Sequence, residues 1–223
     1  ALMASVYFFE GNYDAAMAMF NASRLDLLGN EERDDMTYRL ATCYLKTGNV
    51  KEAAIWFETL RSTSKKYVAD CTYYLSYIRY TQQRYDDALT GFLSLQDNEK
   101  YKALVPYYIA EIYLIKKNYD KAEIVAQNYL SAYPNNEYTA EMYRVLGDAD
   151  YHFGKYHEAM GAFEKYLANN KEEAPRRDAL YMLGLSYYHS GVYTKAANTL
   201  GEVVTGNDAL SQNAYLHLSL IHI

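Results

Sequence analysis

Cysteine is nearly absent: Cys43 and Cys71 are the only two in 223 residues. They fall in adjacent units of the repeat described below, at different heights, whereas a disulfide needs α-carbons within about 7 Å. They read as small core residues, and cysteine usage leaves the compartment open. Long apolar runs are missing too; nothing approaches the roughly 18 residues of a membrane-spanning helix. Positive charge is in short supply, with 22 Lys+Arg against 28 Asp+Glu and a net charge of −6. No lysine- or arginine-rich stripe exists, which argues against nucleic acid and against anionic lipid as partners. The signatures of chemistry are lacking as well: no HExxH, no phosphate-cradling glycine loop, no GxSxG. No nucleophile, base and oxyanion site assemble, so no enzyme, cofactor or metal is expected.

What the chain does have is a period. A tyrosine or valine precedes an alanine by three residues at Tyr13/Ala16, Val50/Ala53, Tyr85/Ala88, Tyr119/Ala122, Tyr156/Ala159 and Tyr193/Ala196. Successive alanines stand 37, 35, 34, 37 and 37 residues apart. A fixed period in this range marks stacked helical hairpins. Nine residues before each tyrosine or valine sits a small residue: Ala4, Ala41, Ser76, Ala110, Gly147 and Gly184. Four residues after each alanine comes Phe20, Phe57, Phe92, Phe163 or Leu200, with Ala126 the exception. Small residues on two helices permit close approach, and the bulky residue one turn later fills the space beside them. The turns between carry Gly11, Gly48, Gly154 and Gly191, suited to a left-handed helix end. Where glycine is missing, Asn118 or the Gln82-Gln83-Arg84 run is expected to serve.

These offsets resemble the tetratricopeptide repeat of bacterial proteins, with Gly147, Gly154, Tyr156, Ala159 and Phe163 as the cleanest copy and Pro134 where the family closes its second helix. The resemblance implies an all-α, right-handed superhelical solenoid of antiparallel helix pairs spanning residues 1–217. The repeats are placed at 1–30, 31–66, 67–99, 100–135, 136–173, 174–208 and, in part, 209–217. The residues beyond a 34-residue period sit at Asn30-Glu31-Glu32-Arg33 and Lys171-Glu172-Glu173-Ala174-Pro175, lengthening loops or helix ends. The terminal Leu218-Ser219-Leu220-Ile221-His222-Ile223 matches one reading frame of a sequencing-library adaptor. It is expected to be non-native, and the chain a fragment of a longer protein.

Tyrosine is the compositional outlier, at 27 against 7 phenylalanines. In a right-handed stack the first helices line the concave side, and a helical face repeats every three to four residues. Following that face gives Asp35 and Tyr38, then Asp70, Tyr73, Tyr77 and Tyr80, then Tyr107 and Glu111. It continues with Glu141, Arg144, Asp148, Tyr151 and His152, then Asp178, Tyr181, Tyr188 and His189. The expected site is this tyrosine-rich, acidic-rimmed groove, binding an extended peptide or partner helix of neutral or basic character. The alternative for the same rings is packing between neighbouring helices. Asp148 and His152 share a helix face, but His189 lies one helix away, about 8–10 Å, too far for one tight ion. Repeats that clamp acidic tails use several cations here, and only Lys46 and Arg144 are near. The functional expectation is an interaction scaffold. A glycan- or ligand-binding module of the cell envelope and a sensory or docking segment of a larger signalling protein are the rivals. A periplasmic or envelope location is taken over a cytoplasmic one.

Overall fold

The structure is a computed structural model that describes residues 2–170 and 173–221. Among them no strand occurs, and the chain is an all-α repeat fold. It divides into two compact units, Ala1–Lys102 and Ala103–Ile223. In the first, three helix pairs follow one another: α1 (Leu2–Phe9) with α2 (Tyr13–Asn21), α3 (Asn30–Lys46) with α4 (Val50–Thr63), and α5 (Val68–Thr81) with α6 (Tyr85–Leu93). A 3-10 turn, Leu25–Leu27, joins α2 to α3. The second unit holds α7 (Val105–Ile115) with α8 (Tyr119–Ala132), α9 (Thr139–His152) with α10 (Tyr156–Asn169), α11 (Glu173–His189) with α12 (Tyr193–Val203), and α13 (Ala209–Ile221). No helix among the described residues is long and apolar enough to cross a membrane.

Each tyrosine or valine of the repeat is the first residue of a second helix. Just ahead of it the chain makes the same turn six times. The N–H of Asn12, Asn49, Arg84, Asn118, Lys155 and Val192 donates to the carbonyl five residues earlier, at 2.8–2.9 Å. The preceding residue bonds three back, which completes a Schellman motif. That preceding residue must be left-handed. Gly11, Gly48, Gly154 and Gly191 take φ of 71 to 81°, while Gln83 and Lys117 take 61° and 58°. The expectation for Asn118 is thus corrected by one place. Asn118 has φ −87° as the N-cap of α8, and Lys117 bears the left-handed conformation.

The seam between small and large residues is as the spacing requires. Ala41, Ala53 and Phe57 are fully buried in one cluster of the first unit. Ala159 and Phe163 are fully buried in a cluster of the second. A Cβ on Gly147 would sit 2.9 Å from the Phe163 ring, and one on Gly184 would sit 2.7 Å from Leu200 Cγ. Where Ala126 takes the bulky slot, Tyr129 is buried in the same cluster and is 2% exposed. Its hydroxyl donates to Asn136 Oδ1 at 2.6 Å, so the large polar ring is satisfied at depth. The junction residues lengthen helices: α3 and α11 run 17 residues, against 14 for α5 and α9. Lys171 and Glu172 lie outside the described residues, as do His222 and Ile223. Leu218 and Ile221 of α13 pack against the cluster of Leu185, Leu200 and Val203.

Candidate functional site

In the first unit, two tyrosines that follow a second helix reach back to the first helix of the same repeat. Tyr67 stacks on Tyr38 with ring centroids 4.6 Å apart and planes 15° from parallel. Its hydroxyl donates to Asp35 Oδ1 at 2.9 Å, and Lys66 Nζ donates to the same oxygen at 2.7 Å. One repeat on, Tyr101 stacks on Tyr73 at 4.8 Å and 17°. There the hydroxyl donates to Asp70 Oδ1 at 2.6 Å, and Lys100 pairs with the same carboxylate. Lys-Tyr thus closes over Asp-x-x-Tyr twice, as an inter-repeat latch. Burial is the main cause that raises the Tyr101 phenol, and the Asp70 carboxylate adds to it. For Asp35 burial pulls upward, but the bonds from Lys66 and Tyr67 outweigh it and the carboxyl is lowered. Asp70 is buried. Tyr77 and Tyr80 are half-buried on α5, with Tyr80 edge-on to Tyr85 at 5.9 Å.

The second unit keeps the ring half of the latch. Tyr138 stacks on Tyr107 at 5.0 Å and 22°, with Leu104 where the acid would stand. Beyond it the face becomes ionic. Arg144 on α9 donates to Glu141 at 2.9 Å, to Asp148 at 3.1 Å and to Glu111 on α7. Burial pushes Asp148 up to about 6, against the pull of Arg144. Glu111 is raised for the same first reason. Beside this cluster a cavity of about 310 Å³ opens between α9 and α11. Glu141, Arg144, Asp148 and Asp178 give it a polar wall, and Phe163, Ala179 and Met182 an apolar one.

The remaining predicted residues lie further along these helices. His152 stacks on Tyr119 at 3.6 Å, and His189 stacks on Tyr156 at 4.7 Å. Each histidine therefore covers the tyrosine that opens the previous second helix. Partial burial and then His217 lower the His189 pKa. Tyr151 is edge-on to Tyr156 at 5.4 Å, and both Tyr181 and Tyr188 face His217 at about 6 Å. Among the described residues no group of three His, Cys, Asp or Glu could hold a metal. Cys43 and Cys71 are both free and buried. The structure therefore brings together Glu111, Glu141, Arg144 and Asp148, and fastens Tyr38, Asp70, Tyr73 and Tyr107 into packing contacts. The latch rings Tyr67, Tyr101 and Tyr138 escaped the sequence reading. Their signal is the pair of Lys-Tyr dipeptides, 66–67 and 100–101, one period apart.

The arrangement offers charge, apolar surface and ring faces, which suits holding a partner. Comparison with curated proteins finds no match. Among solved structures, the chain is similar to PilF of Pseudomonas aeruginosa, with TM-score 0.75 and 15% identity over 96% of this chain and 94% of that one. It is similar to the C-terminal part of a TPR repeat-containing protein from Cytophaga hutchinsonii, with TM-score 0.69 and 15% identity over 98% and 94%. YrrB, described as a TPR protein with an unusual peptide-binding site, gives TM-score 0.66 and 15% identity over 87% and 94%. At such identity these likenesses speak for the fold alone. The family profile of the tetratricopeptide repeat matches residues 2–67, 75–137 and 140–214. The chain belongs to the tetratricopeptide repeat family, whose members serve as protein–protein interaction scaffolds.

Proposed function

We propose that the protein is a scaffold that holds an extended peptide or partner helix, of basic or neutral character, on its first-helix face. The observation that carries this reading is the cavity between α9 and α11. There Glu141, Asp148 and Asp178 face a single cation, Arg144, above Phe163, Ala179 and Met182. A lysine or arginine of a partner could lay its aliphatic stem on the apolar wall and its charge on the acids. The peptide-binding site ascribed to YrrB, on a similar fold, agrees with a peptide as the ligand class.

A panel of labelled 12-residue peptides, basic, neutral and acidic, tests it by fluorescence polarisation. Basic peptides are expected to bind best, and Asp148→Asn with Asp178→Asn to weaken them about tenfold, or about 1.4 kcal/mol. Failure of the basic peptides to bind, or no change in their affinity in the double variant, would rule out this site.

A further inference from the structure

Three residues after the small residue of each first helix, the sequence has Tyr7, Tyr44, Arg79, Tyr113, Asp150 and Tyr187. The tyrosine has a visible task in two of these repeats. Tyr44 accepts from Asn21 Nδ2 at 3.1 Å, and the Tyr187 hydroxyl donates to Glu164 Oε1 at 2.5 Å. Both partners lie on the preceding second helix, five residues after its repeat alanine. In α5 the same position is Arg79, and the matching partner position on α4 is Glu58. Glu58 is engaged elsewhere: Arg61 of its own helix donates to it at 2.5 Å. Arg79 is half-buried, and its side chain has no hydrogen bond or ion pair among the described residues.

The gap that a tyrosine bridges elsewhere is here an open cavity of about 270 Å³. Leu75 and Ile78 form its floor, with Ile55, 65% exposed, at its edge. Arg79 and Arg84 line it, Arg84 held at 2.6 Å by Asp87. Of its three lining charges, Glu58 pairs with Arg61 and Arg84 with Asp87, both partners outside the lining, and Arg79 is left over.

From this we infer that the α4–α5 cavity is a second docking site, for a partner segment that carries an aliphatic side chain beside a carboxylate. The aliphatic group packs on Leu75 and Ile78, and the carboxylate accepts from Arg79 in the two-pronged geometry that guanidinium favours. The polarity is opposite to that proposed for the α9–α11 cavity, so the two sites select different segments. Nothing in this inference depends on the α9–α11 reading, because the two cavities share no lining residue.

The test is a nitrogen-15 NMR titration of the full chain with acetyl-Leu-Glu-Leu-amide, beside the Leu-Gln-Leu and Leu-Lys-Leu versions. The glutamate peptide is expected to shift the Ile55 and Ile78 amides and the Arg79 side-chain N–H to saturation. The glutamine peptide, and the glutamate peptide on Arg79→Gln, are each expected to bind about fivefold more weakly, a screened charge-assisted bond. Arg79→Tyr restores the residue used in four other repeats, and the same spectra report its folding; loss of peptide shifts there supports the site. Absence of saturable shifts by about 10 mM peptide would overturn the inference. Equal binding of the lysine peptide, or unchanged affinity in Arg79→Gln, would overturn it as well.

Discussion

Two glycines inside helices should respond to alanine in opposite directions. Alanine is favoured over glycine in a helix interior by about 0.8–1.0 kcal/mol, so without a neighbour both changes would stabilise. Gly161 in α10 has nothing within 4 Å of an added Cβ, and Gly161→Ala is expected to gain close to that amount. Gly147 in α9 is different: the new Cβ would lie 2.9 Å from Phe163 Cε1 and Cζ and 3.0 Å from Cδ1. Phe163 is 0% exposed, and although its ring borders the α9–α11 cavity, it must shift to take the new methyl. Overpacking of this kind costs about 1–3 kcal/mol, which outweighs the propensity gain at most of that range. The net expectation for Gly147→Ala is a loss of up to about 2 kcal/mol, or at most a few degrees of melting temperature for a chain of this length. Urea and thermal unfolding followed by circular dichroism read both variants. Phe163→Leu in the Gly147→Ala background makes room for the methyl and should recover part of the loss. If Gly147→Ala stabilises as much as Gly161→Ala, the α9–α10 seam is not as described.

Lys117→Gly and Gln83→Gly relieve left-handed residues and should each stabilise by about 0.5–1 kcal/mol, with Lys117→Ala showing no such gain in the same melts. Tyr101→Phe keeps the ring stack and removes one donor to buried Asp70; a loss of about 1 kcal/mol is expected, and none would mean the latch is only packing. Asp150 is 4% exposed on α9, and burial, then Glu123 on α8, raise it to about 6 against the pull of Lys155, 3.7 Å away. A raised carboxyl stabilises the fold when protonated, and that contribution is lost as pH rises through about 6. Asp150→Asn should therefore be more stable than wild type near pH 7.5, on the order of 1–2 kcal/mol, with the gap closing toward pH 4; a gap that widens on acidification would refute this.

The fold was legible because its determinants are local and repeated. A residue such as Ala159 must be small in every copy for the same steric reason, so six copies make the rule visible without an alignment. The turns show where such reading slips. The left-handed site falls one place before the N-cap, and only glycine advertises it. Asparagine tolerates that conformation better than lysine, so Asn118 drew attention that belonged to Lys117. Neighbouring geometry decides the matter: the six-to-one bond from Asn118 to Tyr113 places the strain at residue 117.

The site was less legible, because a helical face says which residues point the same way but not what lies above them. Tyr38 and Tyr73 do share a face, yet Tyr67 and Tyr101 arrive from the next inter-repeat segment and cover them. Those covering rings sit outside any helix, where helical periodicity has no hold. Charge transferred better than rings. Glu111, Glu141 and Arg144 were grouped by register, and register on neighbouring helices is what brings long ionic side chains into reach. Arg79 shows the limit from the other side. Its interest comes from being the odd member of a tyrosine column, and from Glu58 being occupied by Arg61. The first half is written in the sequence. The second depends on which of two arginines a glutamate pairs with, and helical periodicity does not state that.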